Sequence, residues 1–189
     1  RQMCIRDSYY KMKWDFTMTQ HIFLTGKKHI GKSTLIQKIL DDYKKTADGF
    51  LTVRTKDYLK NQYSVHMYHL KEKEFPNESN LLFLCGKTDE HTADTFDRLG
   101  CNILSMCSDC SLIVMDELGP HEADATLFRK KILNLLDGQT PILGVLQEPA
   151  ESFWPEIVNH PKVEIITISE DNRNDSALLN YIQCKISSP

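Results

Sequence analysis

Residues 26–33 read Gly-Lys-Lys-His-Ile-Gly-Lys-Ser, set between the apolar run HIFLT and the helically periodic run TLIQKILDDY. This stretch constrains the chain more than any other. An apolar strand must turn sharply through glycines and open directly into a helix. Two glycines in such a turn let the backbone adopt positive φ and approach a ligand with no Cβ in the way. Successive N–H groups then point inward at the positive end of the new helix, where an anion is favoured.

The spacing fits G-x-x-x-x-G-K-[ST] at every fixed position, a pattern that cradles phosphates. The backbone of Gly26, Lys27, Lys28, His29, Ile30 and Gly31 forms the expected nest. Lys32 is placed to reach the β- and γ-phosphates of a nucleotide, Ser33 to hold Mg²⁺, and Thr34 to contact the α-phosphate side. The competing reading is a lysine-bearing turn with no ligand. Context favours the cradle, because the match follows a strand and opens a helix.

A phosphate cradle of this kind predicts a second strand ending in an acidic residue near the metal. SLIVMDE (111–117) supplies one. Asp116 emerges at the carboxyl end of a continuous apolar strand, where ligands gather in open α/β sheets. It is the expected Mg²⁺ partner, and Glu117 the group that orients and deprotonates an attacking water. A solvated or helix-capping acidic pair is the alternative.

The remaining runs alternate strand and helix. Strands are expected at 49–54, 64–70, 81–85, 142–146 and 163–168, with 49–54 and 64–70 forming a hairpin or an excursion beside the sheet. Helices are expected at 93–107 and 124–137, around 153–158, and after Asn174. Asp124 is the expected N-cap and Gly138 the expected stop of the second of these. Continuous apolar strands alternating with amphipathic helices predict an α/β three-layer sandwich with a mainly parallel sheet. The charged segment 71–80 reads as a solvated connection or a lid.

The chain has 189 residues, 41% of them hydrophobic and 26% charged, which suits one domain with a full-sized core. Residues 1–18 lack periodicity and read as a non-native or disordered leader, leaving 19–187 as a single domain. A net charge of −3 gives no general attraction for nucleic acid or anionic membrane. No apolar stretch reaches membrane-spanning length and no secretory pattern opens the chain, so a cytoplasmic location is expected. The six cysteines are then expected as reduced thiols. Cys107 and Cys110 have the spacing of half a zinc site, with Cys101 and His91 upstream, but no second pair.

At this point the chain resembles the small nucleoside-triphosphatases of the thermophile and cancer-related NTPase family. The resemblance is carried by HIFLTGKKHIGKSTLI (21–36), DGFLTVR (48–54), MDELGPHE (115–122), PILGVL (141–146) and ISEDNRNDSALL (168–179). It implies a P-loop NTPase fold of the kinase-like branch and Mg²⁺-dependent hydrolysis of ATP, GTP and other nucleoside triphosphates. Lys32 and Glu117 would be catalytic, Gly26 to Thr34 would bind phosphates, Ser33 and Asp116 would hold the metal, and Gly119 would keep its turn open. Lys27, Lys28 and His29 depart from the family, and they either strengthen polyphosphate binding or face solvent. Residues 56–92 match poorly.

Arg173 could reach the γ-phosphate, pack over the base or ribose, or form a structural ion pair. Arg54 could contact nucleotide or pair on the surface. A small nucleotide or metabolite kinase and a nucleotide-dependent binding switch remain as alternative functions.

Overall fold

The computed structural model describes residues 20–72, 75–86 and 91–187. The proposed leader, residues 1–18, lies outside them. β1 (His21–Thr25) leads through the glycine loop into α1 (Lys32–Asp42). β2 (Ala47–Leu59) and β3 (Gln62–His69) form a hairpin, followed by β4 (Leu81–Leu84). Then come α2 (Thr92–Ser105), β5 (Leu112–Leu118), α3 (Thr126–Asp137) and β6 (Ile142–Leu146). The short helices α4 (Ala150–Phe153) and α5 (Pro155–Val158), β7 (Val163–Thr167) and α6 (Ser176–Ser187) complete the order.

The seven strands make one sheet in the order β4-β3-β2-β5-β6-β1-β7. β2, β5, β6, β1 and β7 are mutually parallel, and the hairpin adds β3 and β4 as antiparallel neighbours. Every residue of β1 and β6 is buried. Alternation divides their side chains between two cores. Phe23 and Met115 face a layer containing Phe96, Phe128 and Trp154. Ile22, Leu24 and Val114 face Ile36, Ile39 and Ile182 on α1 and α6. Burying each such aliphatic or aromatic side chain contributes about 1.5–3 kcal/mol. Two apolar faces therefore require continuous apolar strands, as the sequence pattern indicated.

β6 lies between β1 and β5. Two expectations need correction. β2 runs to Leu59, well past Arg54. Its outer half pairs with β3 but is largely exposed, so it carries no continuous apolar signal. Asp124 does not cap α3. Ala125 occupies that position without a side-chain bond, and Asp97 of α2 instead accepts from the Phe128 N–H at 2.8 Å. A cap supplied from another helix has no local spacing to reveal it. Gly138 does end α3.

The cysteine pair makes local bonds rather than a metal site. The Cys107 thiol donates to Ile103 O and the Cys110 thiol to Cys107 O. Burial pushes the Cys107 thiol up to about 12, which disfavours the thiolate that metals bind. Among the described residues no three His, Cys, Asp or Glu side chains gather as a metal site. None of the described helices is long and apolar enough to cross a membrane.

Candidate active site

The glycine loop leaves β1 against β7. Gly26 has φ 131° and passes the Ile168 carbonyl so closely that a Cβ there would collide with backbone. The Ile168 N–H donates to Thr25 O at 2.8 Å, fixing this approach. His29 has φ 64° and Gly31 φ 110°, turning the chain into the first residue of α1, Lys32. No acidic side chain occupies the first turn of that helix, so its positive end stays uncompensated from within.

Lys32 is only 7% exposed. Its ammonium folds back under the loop and donates to Gly26 O at 2.5 Å and Lys27 O at 3.0 Å. Burial lowers its pKa, while the nearby carboxylates of Glu117, Glu148 and Asp116 oppose that shift. An ammonium whose hydrogen bonds go only to carbonyls is expensive to bury, and an incoming polyanion would add a directly bonded countercharge.

The acidic pair comes from the end of β5. Ser33 Oγ donates to Asp116 Oδ1 at 3.1 Å, so the helix and the acidic strand converge on one point. Asp116 is buried, whereas Glu117 is half-buried and has φ 62°. That left-handed conformation costs on the order of 1–3 kcal/mol in a residue with a Cβ.

The strain at Glu117 is held by the residues that follow. The Gln147 N–H donates to Leu118 O at 2.8 Å. The Gly119 N–H donates to Glu122 Oε1, and Trp154 Nε1–H donates to Gly119 O at 3.0 Å. Both polar groups of Gly119 are thus pinned. A Cβ there would lie 2.5 Å from Gln147 Oε1, so any larger residue would have to displace that side-chain amide. Glu122 is 4% exposed. Burial pushes its carboxyl up to about 7, against the bond from Gly119 and with help from the Glu117 charge.

Between these elements lies a cavity of about 600 Å³. Lys28, His29, Gly31, Lys32, Ser33 and Thr34 line one side, and Glu117, Gly119 and Glu122 another. Lys27 is exposed and outside the lining. Ile30 is buried in the core beneath the loop. Arg54 lines the cavity; Arg173 is exposed and does not. Asn172 closes the turn after β7, accepting from the Ser169 N–H at 2.8 Å and donating to Thr167 O at 2.9 Å. The described residues of 71–80 do not reach the lining.

Sequence reasoning gave Glu122, Gln147 and Trp154 no role. The signal for Glu122 was a carboxylate three residues past Gly119; the other two come from distant segments and leave no spacing. The oxygen pair of Ser33 and Asp116 is a donor set that suits a hard divalent cation such as Mg²⁺.

A family model described as NTPase matches residues 21–182. The chain is 26% identical to the nucleoside-triphosphatase THEP1 of Thermotoga maritima, over 85% of this chain and 92% of that protein. It is 28% identical to the human cancer-related nucleoside-triphosphatase, over 90% of this chain and 99% of that one. The solution structure of a human cancer-related nucleoside triphosphatase superposes with a TM-score of 0.61 at 26% identity, covering 90% of this chain and 99% of its own. A phosphate cradle facing an acidic strand, on a chain matched over residues 21–182, makes this protein a P-loop hydrolase belonging to the NTPase family.

Proposed function

We infer that the protein hydrolyses ATP, GTP and other nucleoside triphosphates to the diphosphate and inorganic phosphate, with Mg²⁺ as cofactor. The observation that chiefly supports this is the convergence of Lys32, Ser33 and Asp116 beside Glu117. Ser33 and Asp116 would hold Mg²⁺, which when bound neutralises charge on the β- and γ-phosphates.

Backbone N–H groups of the glycine loop bind the phosphate tail, and Lys32 exchanges its carbonyl partners for phosphate oxygens. Glu117 accepts a proton from water as the water oxygen bonds to the γ-phosphorus. The bond from that phosphorus to the β–γ bridging oxygen breaks, and the diphosphate leaves with the electron pair. The nucleoside extends from Thr34 toward the Ser169–Arg173 turn, where Arg173 is available to the base or ribose.

This reading places the activity in the cytoplasm and needs no nucleic acid, in keeping with the net charge of −3. Phosphate release measured across ATP, GTP, CTP and UTP, with Mg²⁺ or with EDTA, tests it. Release from several triphosphates only with Mg²⁺ is expected. Phosphoryl transfer that occurs only when an acceptor is added would favour a kinase. Binding without turnover would favour a nucleotide-dependent switch.

A further inference from the structure

The cavity extends beyond the acidic pair. From Glu117 it continues along the outer strands, where Thr52 and Arg54 of β2, Phe83 of β4 and the loop residue His121 form its walls. The sheet order makes this half distinct. β2 flanks β5 on the side away from β6 and β1. A triphosphate in the glycine loop has its γ end at Lys32 and its α end at Thr34. Its tail therefore runs from the β1 loop toward the β5 carboxylates, with the γ-phosphate facing β2 and the nucleoside leaving toward β7. On the placement proposed above, the nucleotide would leave the β2–β4 half open.

That half has a chemistry of its own. The Arg54 guanidinium lies 4.0 Å over the Tyr63 ring. Stacking fixes its plane and leaves N–H edges to bind an anion, and no carboxylate is paired with it among the described residues. Lys28 adds a second cation at the lining. On another wall the rings of Phe83 and His121 lie 4.3 Å apart at 35°. Burial, with Lys28 nearby, holds the His121 pKa below its ordinary value, so near neutral pH it is an uncharged aromatic surface. Cations and an aromatic pair in one cavity complement a ring compound bearing an anion.

We propose that the β2–β4 half of the cavity is a separate subsite that binds a second small molecule, a ring compound carrying one phosphate or carboxylate, beside the γ-phosphate. The inference rests on the placement of the triphosphate given under the proposed function. The two sources of the anion share the same recognition by Arg54 and Lys28, and the test separates them.

The full chain is loaded with a non-hydrolysable ATP analogue and Mg²⁺. It is then titrated calorimetrically with AMP and CMP, with benzoate, and with adenosine as the uncharged control. The expected result is that a monophosphate or the carboxylate binds at least about tenfold more tightly than adenosine, which is about 1.4 kcal/mol. The anion that binds identifies its source. Arg54→Gln weakens that binding by about tenfold or more, and Phe83→Ala weakens it independently. Both variants keep ATP hydrolysis within about twofold of wild type, and their melting temperatures verify folding.

Three results overturn the subsite: adenosine binding as tightly as AMP, the anions displacing the analogue, or unchanged affinity in both variants. If the wild-type protein hydrolyses no triphosphate, the proposed function fails. If it hydrolyses ATP but none of the anions binds the loaded protein, only the subsite fails.

Discussion

Ser33 Oγ on α1 donates to Asp116 Oδ1 on β5 at 3.1 Å, across 83 residues of sequence. One intervening strand, β6, separates the two strands that deliver these loops. The contact depends on β1, β6 and β5 keeping their parallel register, so the core sets the geometry of the site.

Lys32→Ala separates binding from folding. The ammonium is buried among carbonyls, and losing a buried charge partner of a bound anion costs about 2–5 kcal/mol. Nucleotide affinity is expected to fall by about 30-fold or more. The melting temperature should hold or rise, because the variant no longer desolvates an ammonium whose pKa burial already lowers. Fluorescent-nucleotide titration beside thermal unfolding measures both. A large loss of stability would show that Lys32 serves the fold first.

Glu122 gives a pH signature. Its carboxyl is raised from 4.5 to about 7 in the folded protein. Between these values the native state binds more protons than the unfolded chain, so its contribution to stability falls as pH rises through that window and levels off above about 7. The loss is on the order of 3 kcal/mol at most. Urea unfolding from pH 5 to pH 8 should show it in the wild type and not in Glu122→Gln. Parallel pH profiles for the two proteins would contradict this assignment.

The same residue also positions Glu117 through Gly119. Glu122→Gln retains an oxygen for the Gly119 N–H, whereas Glu122→Ala leaves that N–H buried and unpaired, at about 1–3 kcal/mol. Near-normal kcat in the glutamine variant and a clear loss in the alanine variant are expected from steady-state phosphate release. Equal losses in both would assign the carboxylate a charge role instead.

Gly26→Ala should disable the cradle. An added Cβ meets the Ile168 carbonyl while φ stays at 131°, so either β7 shifts or the loop unwinds. The expected result is a loss of nucleotide binding together with destabilisation of a few kcal/mol. Nucleotide titration and urea unfolding of the variant check the two parts.

Local signals made much of this legible. The glycine loop, the strand ending in Asp116 and the alternation behind a parallel sheet each leave a fixed spacing or a continuous apolar run. What escaped comes from distant contacts. Asp97 caps α3 from α2, Trp154 pins Gly119 from 35 residues away, and the outer half of β2 is polar because only one neighbour strand covers it. The φ of 62° at Glu117 left no trace at all, since a glutamate does not announce a left-handed backbone. At the turn after β7 it is Asn172 that makes the structural bonds, a division of labour with the exposed Arg173 that the adjacent pair of residues did not reveal.

The most direct test of the central claim is single-turnover phosphate release from ATP by Glu117→Gln, with nucleotide affinity measured on the same protein. Removing a general base while keeping its shape should slow release by about 10²- to 10⁴-fold, with affinity within about twofold of wild type. Release at the wild-type rate would contradict the account, because Glu117 would then not be the group that takes the proton from water.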